Sequence, residues 1–586
     1  MFAKVFPILK LPRRFEAFDY RLPDDSHFAI GDIISIPFRH RSVLGVIDVI
    51  QKTTNEKRTI EVSNASPVFN ISPSHLSYLK TIATNLGQSV SSILSIAFEG
   101  ISDRTGVGSN VALKNLASSF SVDPHTIDVV KSMLSIIQKD RESSFAIDDE
   151  TSAVLAHALC KTPEGQALIL VPRERDAQFF KQLLNPFSPA VLTGKTTSFE
   201  RNSIIRSWKL GKHRLLIGTR QTTLIEPQNL SSVLVFQSAC EDHKSLFRNP
   251  HINAIFAAQT LAELYNARLI MTDPLPPIST IALKQLPEKS AIELTDSTPV
   301  IIDTTIRGEN SAYPLLSQTL LEAIKLALHS QKKVLLCLNR KGVAKRMECK
   351  ACGHVPFCGT CGNLPIVRLD DLLCGGCGAE MWKPTSCPAC GSPKIGPRSI
   401  GGARIVDDLK KAFPDVTIGH IEKGRIDNKA NIIVATEYFW SSVIVPFQKY
   451  GFGLVAELLA DVGFIPGDFC GVEKTARKIC RLQNLAQREH VKCIIQTVAR
   501  DRLLSLLGTS HVYNHERSIR EQYTLPPFGV IITFENAILE ELPENFRSLV
   551  TNRHGVLTAK VDHPTFDTWK EQFSNIPDHI NIRIDR

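Results

Sequence analysis

Apolar residues along this chain fall into two kinds of run. From Met1 to about residue 65 they alternate with polar residues in short stretches divided by turn signals, at Val5–Leu9, Asp19–Leu22, Asp32–Pro37, Val43–Ile50 and Ile60–Val62. Period-two patterning of this length predicts half-buried strands and a small β domain. Over 73–98 and 124–138 the spacing turns helical, with Ser72 and Asp123 as N-caps and Pro73 and Pro124 suited to the first helical position. Beyond 150 the runs become short and continuously apolar: Ala167–Val171, Arg214–Ile217, Val233–Phe236 and Arg268–Met271, then Lys333–Leu338, Asn431–Thr436, Leu454–Leu458 and Val491–Thr497. Alternating with helical stretches, these predict two lobes built on parallel sheets covered on both faces. A last unit starts near 508 around Tyr523–Gly529 and closes on a strand at Ile580–Ile584.

Composition adds bounds. The 586 residues, 43% hydrophobic and 22% charged, predict roughly four compact domains and exclude general disorder. Lys and Arg total 68 against 59 Asp and Glu, a net +9 that permits a polyanionic partner without requiring one. Lys4, Lys10, Arg13 and Arg14 interrupt what would be the apolar core of a signal peptide. Lys449, Glu457 and Asp461 break the most membrane-like stretch, 443–465. A cytoplasmic protein without a membrane partner is expected, so clustered cysteines point to metal before disulfides.

The cysteines are clustered. Eight of the 14 form four C-x-x-C pairs, each followed by glycine: Cys349/Cys352, Cys358/Cys361, Cys374/Cys377 and Cys387/Cys390. The two-residue spacing aims two thiolates at one ion, and the glycine permits the positive φ that closes the turn. Four turns make two tetrahedral sites, hence two Zn²⁺ per chain, with nested and sequential pairings equally compatible. Such closed sites are structural and leave no position for a catalytic water. The remaining cysteines (Cys160, Cys240, Cys337, Cys470, Cys480, Cys493) read as small core residues.

The order of these parts, together with particular motifs, resembles the PriA family of primosomal replication-restart helicases. The residues that carry the resemblance are Phe18-Asp19-Tyr20, Ile36-Pro37-Phe38, Ile217-Gly218-Thr219-Arg220, Leu338-Asn339-Arg340-Lys341-Gly342 ahead of the cysteines, Gly467-Asp468-Phe469 with Glu473, and Pro526-Pro527-Phe528-Gly529. The resemblance implies an α/β multidomain protein: a 3′-DNA-end-binding domain over 1–105, a reduced winged-helix region over 106–140, and a first RecA-like helicase lobe over 141–290. It further implies a second lobe over 291–347 and 396–507, a zinc-binding insertion over 348–395, and a small α+β C-terminal domain over 508–586. In the end-binding domain it assigns DNA contact to Phe18, Asp19 and Tyr20, more loosely to Lys57, and to the basic turn Arg39-His40-Arg41, where Arg39 replaces the family's usual glycine. An aromatic can stack on the terminal base, a carboxylate can accept the 3′-hydroxyl proton, and cations can meet phosphate.

The nucleotide motifs depart from the family. Where its P-loop belongs, the chain reads Ser144-Phe145-Ala146-Ile147-Asp148-Asp149-Glu150-Thr151, with no glycine, no lysine and three acids facing an incoming phosphate. Gly194-Lys195-Thr196 lies in a different loop and has Pro189 where the first glycine is needed. The family's Asp-Glu-Glu-His is Phe236-Gln237-Ser238-Ala239 here, and Glu241-Asp242-His243 beyond it reads as a solvated loop. Of the arginine motif of the second lobe only Arg488 remains in Arg481–Arg488. No catalytic or nucleotide-binding residue is therefore assigned. The expected activity is recognition of stalled forks, D-loops and single-stranded DNA, with recruitment of a replicative helicase loader and single-stranded DNA-binding protein and without helicase activity. The alternatives are an ATP-dependent 3′-to-5′ DNA helicase with an unorthodox nucleotide site, and a zinc-ribbon interaction protein with no DNA role.

Overall fold

The computed structural model describes all residues except 16, 24–26, 55–58, 63–65, 102–122, 162–163, 246–250, 282–298, 307–308, 310–311, 314, 339–345, 360–364, 368–370, 374–378, 399–401, 461–468, 506–508, 554–555 and 586. These residues form a mixed α/β protein of two compact units, one from 1–145, 149–284 and 519–586, the other from 146–148 and 285–518.

The first unit opens with six strands: β1 (Phe2–Pro7), β2 (Phe18–Arg21), β3 (Asp32–Phe38), β4 (Arg41–Gln51), β5 (Ile60–Glu61) and β6 (Phe69–Asn70), in the order β5-β2-β1-β4-β3-β6. Where one helical run was expected over 73–98, there are two helices, α1 (Pro73–Asn85) and α2 (Val90–Ala97). Gly87 at φ +59 reverses the chain between them, and Ser89 starts α2 by accepting the Ser92 N–H at 3.2 Å. Ser72 caps α1 through the His75 N–H. Asp123 stands at the head of α3 (Pro124–Lys139) but its side chain makes no capping bond.

The first α/β sheet contains β7 (Glu142–Ala146), β8 (Gln166–Leu170), β9 (Ala190–Leu192), β10 (Leu215–Gly218), β11 (Leu230–Phe236) and β12 (Arg268–Asp273), ordered β7-β12-β11-β8-β10-β9. β8, β9, β10, β11 and β12 pair in parallel. The connecting helices include α4 (Asp149–Cys160), α5 (Glu174–Leu183), α6 (Ser198–Lys209) and α7 (Ala254–Leu264). One continuous apolar core joins the β domain to this sheet through α1 and α2, from Ile33 and Val46 through Leu79 and Ile93 to Leu168 and Val233. Its polar atoms are satisfied: Tyr78 donates its hydroxyl proton to Thr223 O at 2.7 Å, and His75 Nε2 lies 3.0 Å from Leu224 O. Burial holds His75 near 4. The C-terminal strands Val530–Glu535, Val550–Arg553, Val556–Val561 and Asn581–Asp585 form an antiparallel sheet whose core stacks Phe546 on Trp569 at 4.0 Å. Arg13 ties it to the amino-terminal segment by donating to Pro577 O and Ile580 O at 2.8 and 2.7 Å.

The second unit holds a seven-stranded sheet of β13 (Val300–Asp303), β14 (Lys333–Cys337), β20 (Ile418–Glu422), β21 (Arg425–Ile426), β22 (Ile432–Ala435), β23 (Phe452–Glu457) and β24 (Lys492–Thr497), ordered β13-β24-β23-β14-β22-β20-β21. Only the edge hairpin β20–β21 is antiparallel among its registered pairs. Between β14 and β20 lies the cysteine block, a ribbon β15 (Arg346–Cys349) with β19 (Ile395–Arg398) and a three-stranded sheet of β16 (Ile366–Val367), β17 (Asp371–Leu373) and β18 (Glu380–Trp382). Among the described residues no helix is long and apolar enough to cross a membrane.

Candidate functional site

In the β domain, the register Phe38↔Arg41 leaves only Arg39 and His40 to turn the β3–β4 hairpin. Both take left-handed backbone, φ +46 and +63, as a two-residue turn between twisted strands demands. This is the geometry for which glycine is the low-cost choice, and an arginine there costs roughly 1 kcal/mol in exchange for a guanidinium at the tip. That guanidinium sits 5.8 Å from the Phe38 ring centroid. Phe38 meets Phe18 edge to face at 5.4 Å, Phe18 stacks on Phe15 at 6.2 Å, and the Arg14 guanidinium lies 5.1 Å over Phe15. The result is a half-exposed ladder of three aromatic rings closed at each end by an arginine. Rings and guanidinium planes of this kind stack on unpaired bases, and the charges meet phosphate. Arg14 and Phe15 carried no signal in the spacing of the sequence; they become visible only once β1 and β2 pair.

The other assigned residues are placed differently. Asp19 lies half-buried and accepts from the Thr54 hydroxyl and from Gln51 Nε2 at 3.5 Å. Tyr20 is 4% exposed and packs in the small core with Val5 and Ile36, its hydroxyl donating to Pro37 O at 3.1 Å. It therefore supports the hairpin from inside and does not present its ring to a ligand. Arg41 is exposed at the start of β4. Lys57 lies outside the described residues.

At the position of the absent P-loop, Ser144–Ala146 belong to β7 and α4 begins at Asp149, so only residues 147 and 148 connect strand to helix. An eight-residue phosphate-wrapping loop has no room in that connection. Asp149 and Glu150 occupy the first turn of α4, where carboxylates satisfy the helix dipole that a phosphate would otherwise use. Asp149 Oδ2 accepts from Gln237 Nε2 at 2.8 Å, and Gln237 Oε1 accepts from Arg173 Nη1 at 3.0 Å. Arg173 Nε donates to Asp242 Oδ2 at 2.6 Å and Nη2 to Cys240 Sγ at 2.8 Å, while Arg220 Nη1 donates to Asp242 O at 2.8 Å. The ends of β8 and β11 and the head of α4 are thus cross-linked by the protein's own groups.

This arrangement corrects two expectations in part. In Glu241–His243, a single turn of 3₁₀ helix, the two acids are exposed as expected, but His243 is fully buried, with Nε2 2.9 Å from Phe236 O, and burial lowers it to about 4. Cys240, read as a core thiol, is half-buried as an acceptor for Arg173. Cys160 and Cys470 are also half-buried, whereas Cys337, Cys480 and Cys493 are core residues as expected. The alternative Gly194-Lys195-Thr196 fills the turn before α6; Lys195 pairs with Glu174 at 3.3 Å, and Thr196 Oγ1 accepts the Thr193 N–H.

In the second unit, Arg481 Nη1 lies 3.5 Å from Glu437 Oε1, and Arg488 Nη1 donates to Val445 O at 3.4 Å. On the same helix, Gly471–Glu489, Lys478 forms a buried pair with Glu457 at 2.7 Å.

The cysteine block resolves the pairing of its outer turns. Sγ atoms of Cys349, Cys352, Cys387 and Cys390 all lie within 4.8 Å of one another. Cys349–Cys390 and Cys352–Cys387 are 3.7 and 3.6 Å apart, close to the edge of a tetrahedron with metal–sulfur bonds of about 2.3 Å. Each turn is closed in the same way, by Gly353 N–H to Cys349 O and Gly391 N–H to Cys387 O, both at 2.8 Å, with the glycines at φ +78 and +69. Lys350 N–H donates to Lys394 O at 2.9 Å and binds the two turns to each other. The first and last pairs therefore share a site that could hold a metal ion. Of the inner pairs, Cys358 is buried, and Cys361, Cys374 and Cys377 lie outside the described residues.

Residues 8–98 match the family model of a 3′DNA-binding domain. Over 578 residues the chain is 24% identical to the replication restart protein PriA of Rickettsia felis, covering 90% of this chain and 84% of that one. The Thermotoga maritima protein of the same name is 26% identical over 369 residues, 58% of this chain and 48% of its own. That of Bacillus subtilis is 24% identical over 403 residues, 62% of this chain and 48% of its own.

Proposed function

We propose that this chain, which belongs to the PriA family of replication restart proteins, recognises branched DNA at stalled forks by its 3′ ends and works without ATP-driven unwinding. DNA binding follows from the matched 3′DNA-binding domain. The observation that carries the mode of binding is the ladder Arg14-Phe15-Phe18-Phe38-Arg39 inside that domain. Terminal bases stack on its rings and its guanidinium groups meet the flanking phosphates, while Asp19, on the opposite face of β2, holds Thr54 and Gln51. Lys57 and Arg41 add positive charge along the strand.

Loss of nucleotide chemistry is supported by the two-residue link between β7 and α4 and by the closed network Asp149–Gln237–Arg173–Asp242. Both α/β sheets then serve as RecA-like scaffolds that hold duplex arms. Two Zn²⁺ per chain, one in the outer site of Cys349, Cys352, Cys387 and Cys390 and one held by Cys358, Cys361, Cys374 and Cys377, would stiffen the insertion. A replicative helicase loader and single-stranded DNA-binding protein are the partners this role requires, in the cytoplasm.

Two measurements test the reading on zinc-loaded full-length protein. Affinity for a fork with a free 3′-hydroxyl should exceed that for the same fork with a blocked end, and equal affinity removes the end pocket. DNA should not stimulate ATP hydrolysis; turnover that disappears on Glu241→Gln or Lys195→Ala substitution would establish the helicase alternative.

A further inference from the structure

Parallel α/β sheets bind nucleotides beyond the carboxyl ends of their strands. In the second unit a cleft of about 450 Å³ runs instead along the sheet, from Lys333 and Phe452 at the starts of β14 and β23 to Ile421, paired with the last residue of β22, and to Phe439 and Ser442 on the short helix Tyr438–Ser442. Three lysines line it, Lys333, Lys429 and Lys449, and none of its lining residues is acidic. Nearby carboxylates are already engaged: Asp427 accepts from Arg425 Nε at 2.7 Å, and Glu489 accepts the N–H groups of Tyr450, Gly451 and Phe452 at 2.7, 3.0 and 3.2 Å. The positive charge at the rim is left without a lining counter-ion.

Most of the remaining lining is apolar, with the polar side chains of Asn428, Ser442 and Gln448 among it. Tyr450 stacks on Phe452 at 5.8 Å, and its hydroxyl donates to Val443 O at 3.0 Å while accepting the Val445 N–H at 2.8 Å, so its ring is fixed. Ile426, 48% exposed at the sheet edge, forms another part of the lining. Lys333 Nζ donates to Asn428 O at 3.1 Å and anchors the segment that carries Lys429. Lys429 and Lys449 are exposed and come from different loops, 427–431 and 443–451. A cleft of this size accommodates a small ligand, with apolar walls for a flat ring and a few cations to orient an anion.

We propose that this cleft binds a nucleoside monophosphate unit, its base against Ile426 and Tyr450 and its phosphate among Lys333, Lys429 and Lys449. The unit could come from a free mononucleotide or from the 5′-phosphorylated end of a single strand, and the experiment separates these sources. Equilibrium dialysis of full-length, zinc-loaded protein against radiolabelled dAMP should give saturable binding that weakens as salt is raised. The double variant Lys429→Glu/Lys449→Glu, both positions exposed, should weaken binding by about tenfold or more with an unchanged unfolding midpoint. Arg39→Glu in the β domain should leave dAMP binding as it was. Competition by a 5′-phosphorylated oligothymidylate but not by its 5′-hydroxyl counterpart identifies a strand end as the source; competition by free dAMP alone identifies the mononucleotide. Absence of saturable binding in the millimolar range, wild-type affinity in the double variant, or equal competition by inorganic phosphate would overturn the proposal.

Discussion

Replacing Arg173 with alanine tests whether the polar network of the first sheet is structure or a vestige of ligand binding. The Arg173 side chain is 15% exposed and reaches Asp242, Gln237 and Cys240 by hydrogen bonds and Asp176 at 3.6 Å. The Asp242 bond is discounted, because that side chain is 53% exposed and solvent screens it. Asp176 decides the magnitude. Its side chain is only 10% exposed, burial already raises its carboxyl, and Arg173 and Arg175 oppose that shift. Without Arg173, only Arg175 at 3.5 Å faces this acid. Removing one member of a buried pair costs about 3–5 kcal/mol, and the remaining Arg175 places the expected loss at the low end, about 3 kcal/mol.

The sign with pH follows. The carboxyl of Asp176 in the variant titrates above its unfolded value, so the deficit is full at neutral pH and shrinks as pH falls and the acid protonates. Urea unfolding followed by hydrogen exchange in residues 174–183 and 230–243 reads the change locally. Fork affinity under native conditions should not move. A loss under 1 kcal/mol, or nucleotide binding by the wild type that vanishes in the variant at unchanged stability, would refute the structural reading and make Arg173 a phosphate ligand.

Three further outcomes are expected. His75 and His243, held neutral near 4 by burial against an unfolded value of about 6.5, each contribute stability that is complete above 6.5 and is lost as pH falls toward 4, about 2 kcal/mol each by pH 5; hydrogen exchange in residues 73–85 of a His75→Gln variant should lose this pH dependence, and unchanged dependence counts against the assignment. Metal analysis should give two Zn²⁺ per chain and a loss confined to one of them in Cys390→Ser, whereas loss of both or neither contradicts two separate Cys₄ sites. Phe18→Ala and Phe38→Ala should each weaken single-strand binding by about 1–3 kcal/mol in fluorescence anisotropy with little change in salt dependence, while Arg39→Ala should lower the salt slope; the reverse pattern would place the bases elsewhere.

Much of this architecture is legible in the sequence because parallel strands must be apolar on both faces. Runs such as Val233–Phe236 and Lys333–Leu338 mark their positions to within a few residues of the observed β11 and β14. The short edge strands β9 and β21 are not legible, since two or three residues carry no period. The break between α1 and α2 hides for a related reason: residues on both sides of Gly87 keep helical spacing because both helices face one core. The C-x-x-C-G spacing reveals turns able to hold a metal ion but not their partners, because pairing depends on where β15 and β19 bring the chain back together. Arg173 and Gln237 are invisible as a pair for the same reason, being 64 residues apart and joined only by the parallel alignment of β8 and β11. Tyr20 shows the limit of a motif: adjacent residues of a strand point to opposite faces, so Phe18-Asp19-Tyr20 cannot all meet one ligand.

The outer cysteine turns bring Cys349 to Cys390, the two ends of an excursion of about 40 residues from the second sheet, at a site that could hold a metal ion. A metal clasp at that point would remove about 4 kcal/mol of loop freedom from the unfolded chain. It would also fix the distance between entry and exit, whatever the intervening chain does. Just inside the turns, Val355 and Phe357 pack against Val498 after β24 and seat the base of the insertion on its host. Changes of length or sequence are therefore best tolerated farther along the excursion, away from Val355 and Phe357, where they leave both the clasp and this seat in place.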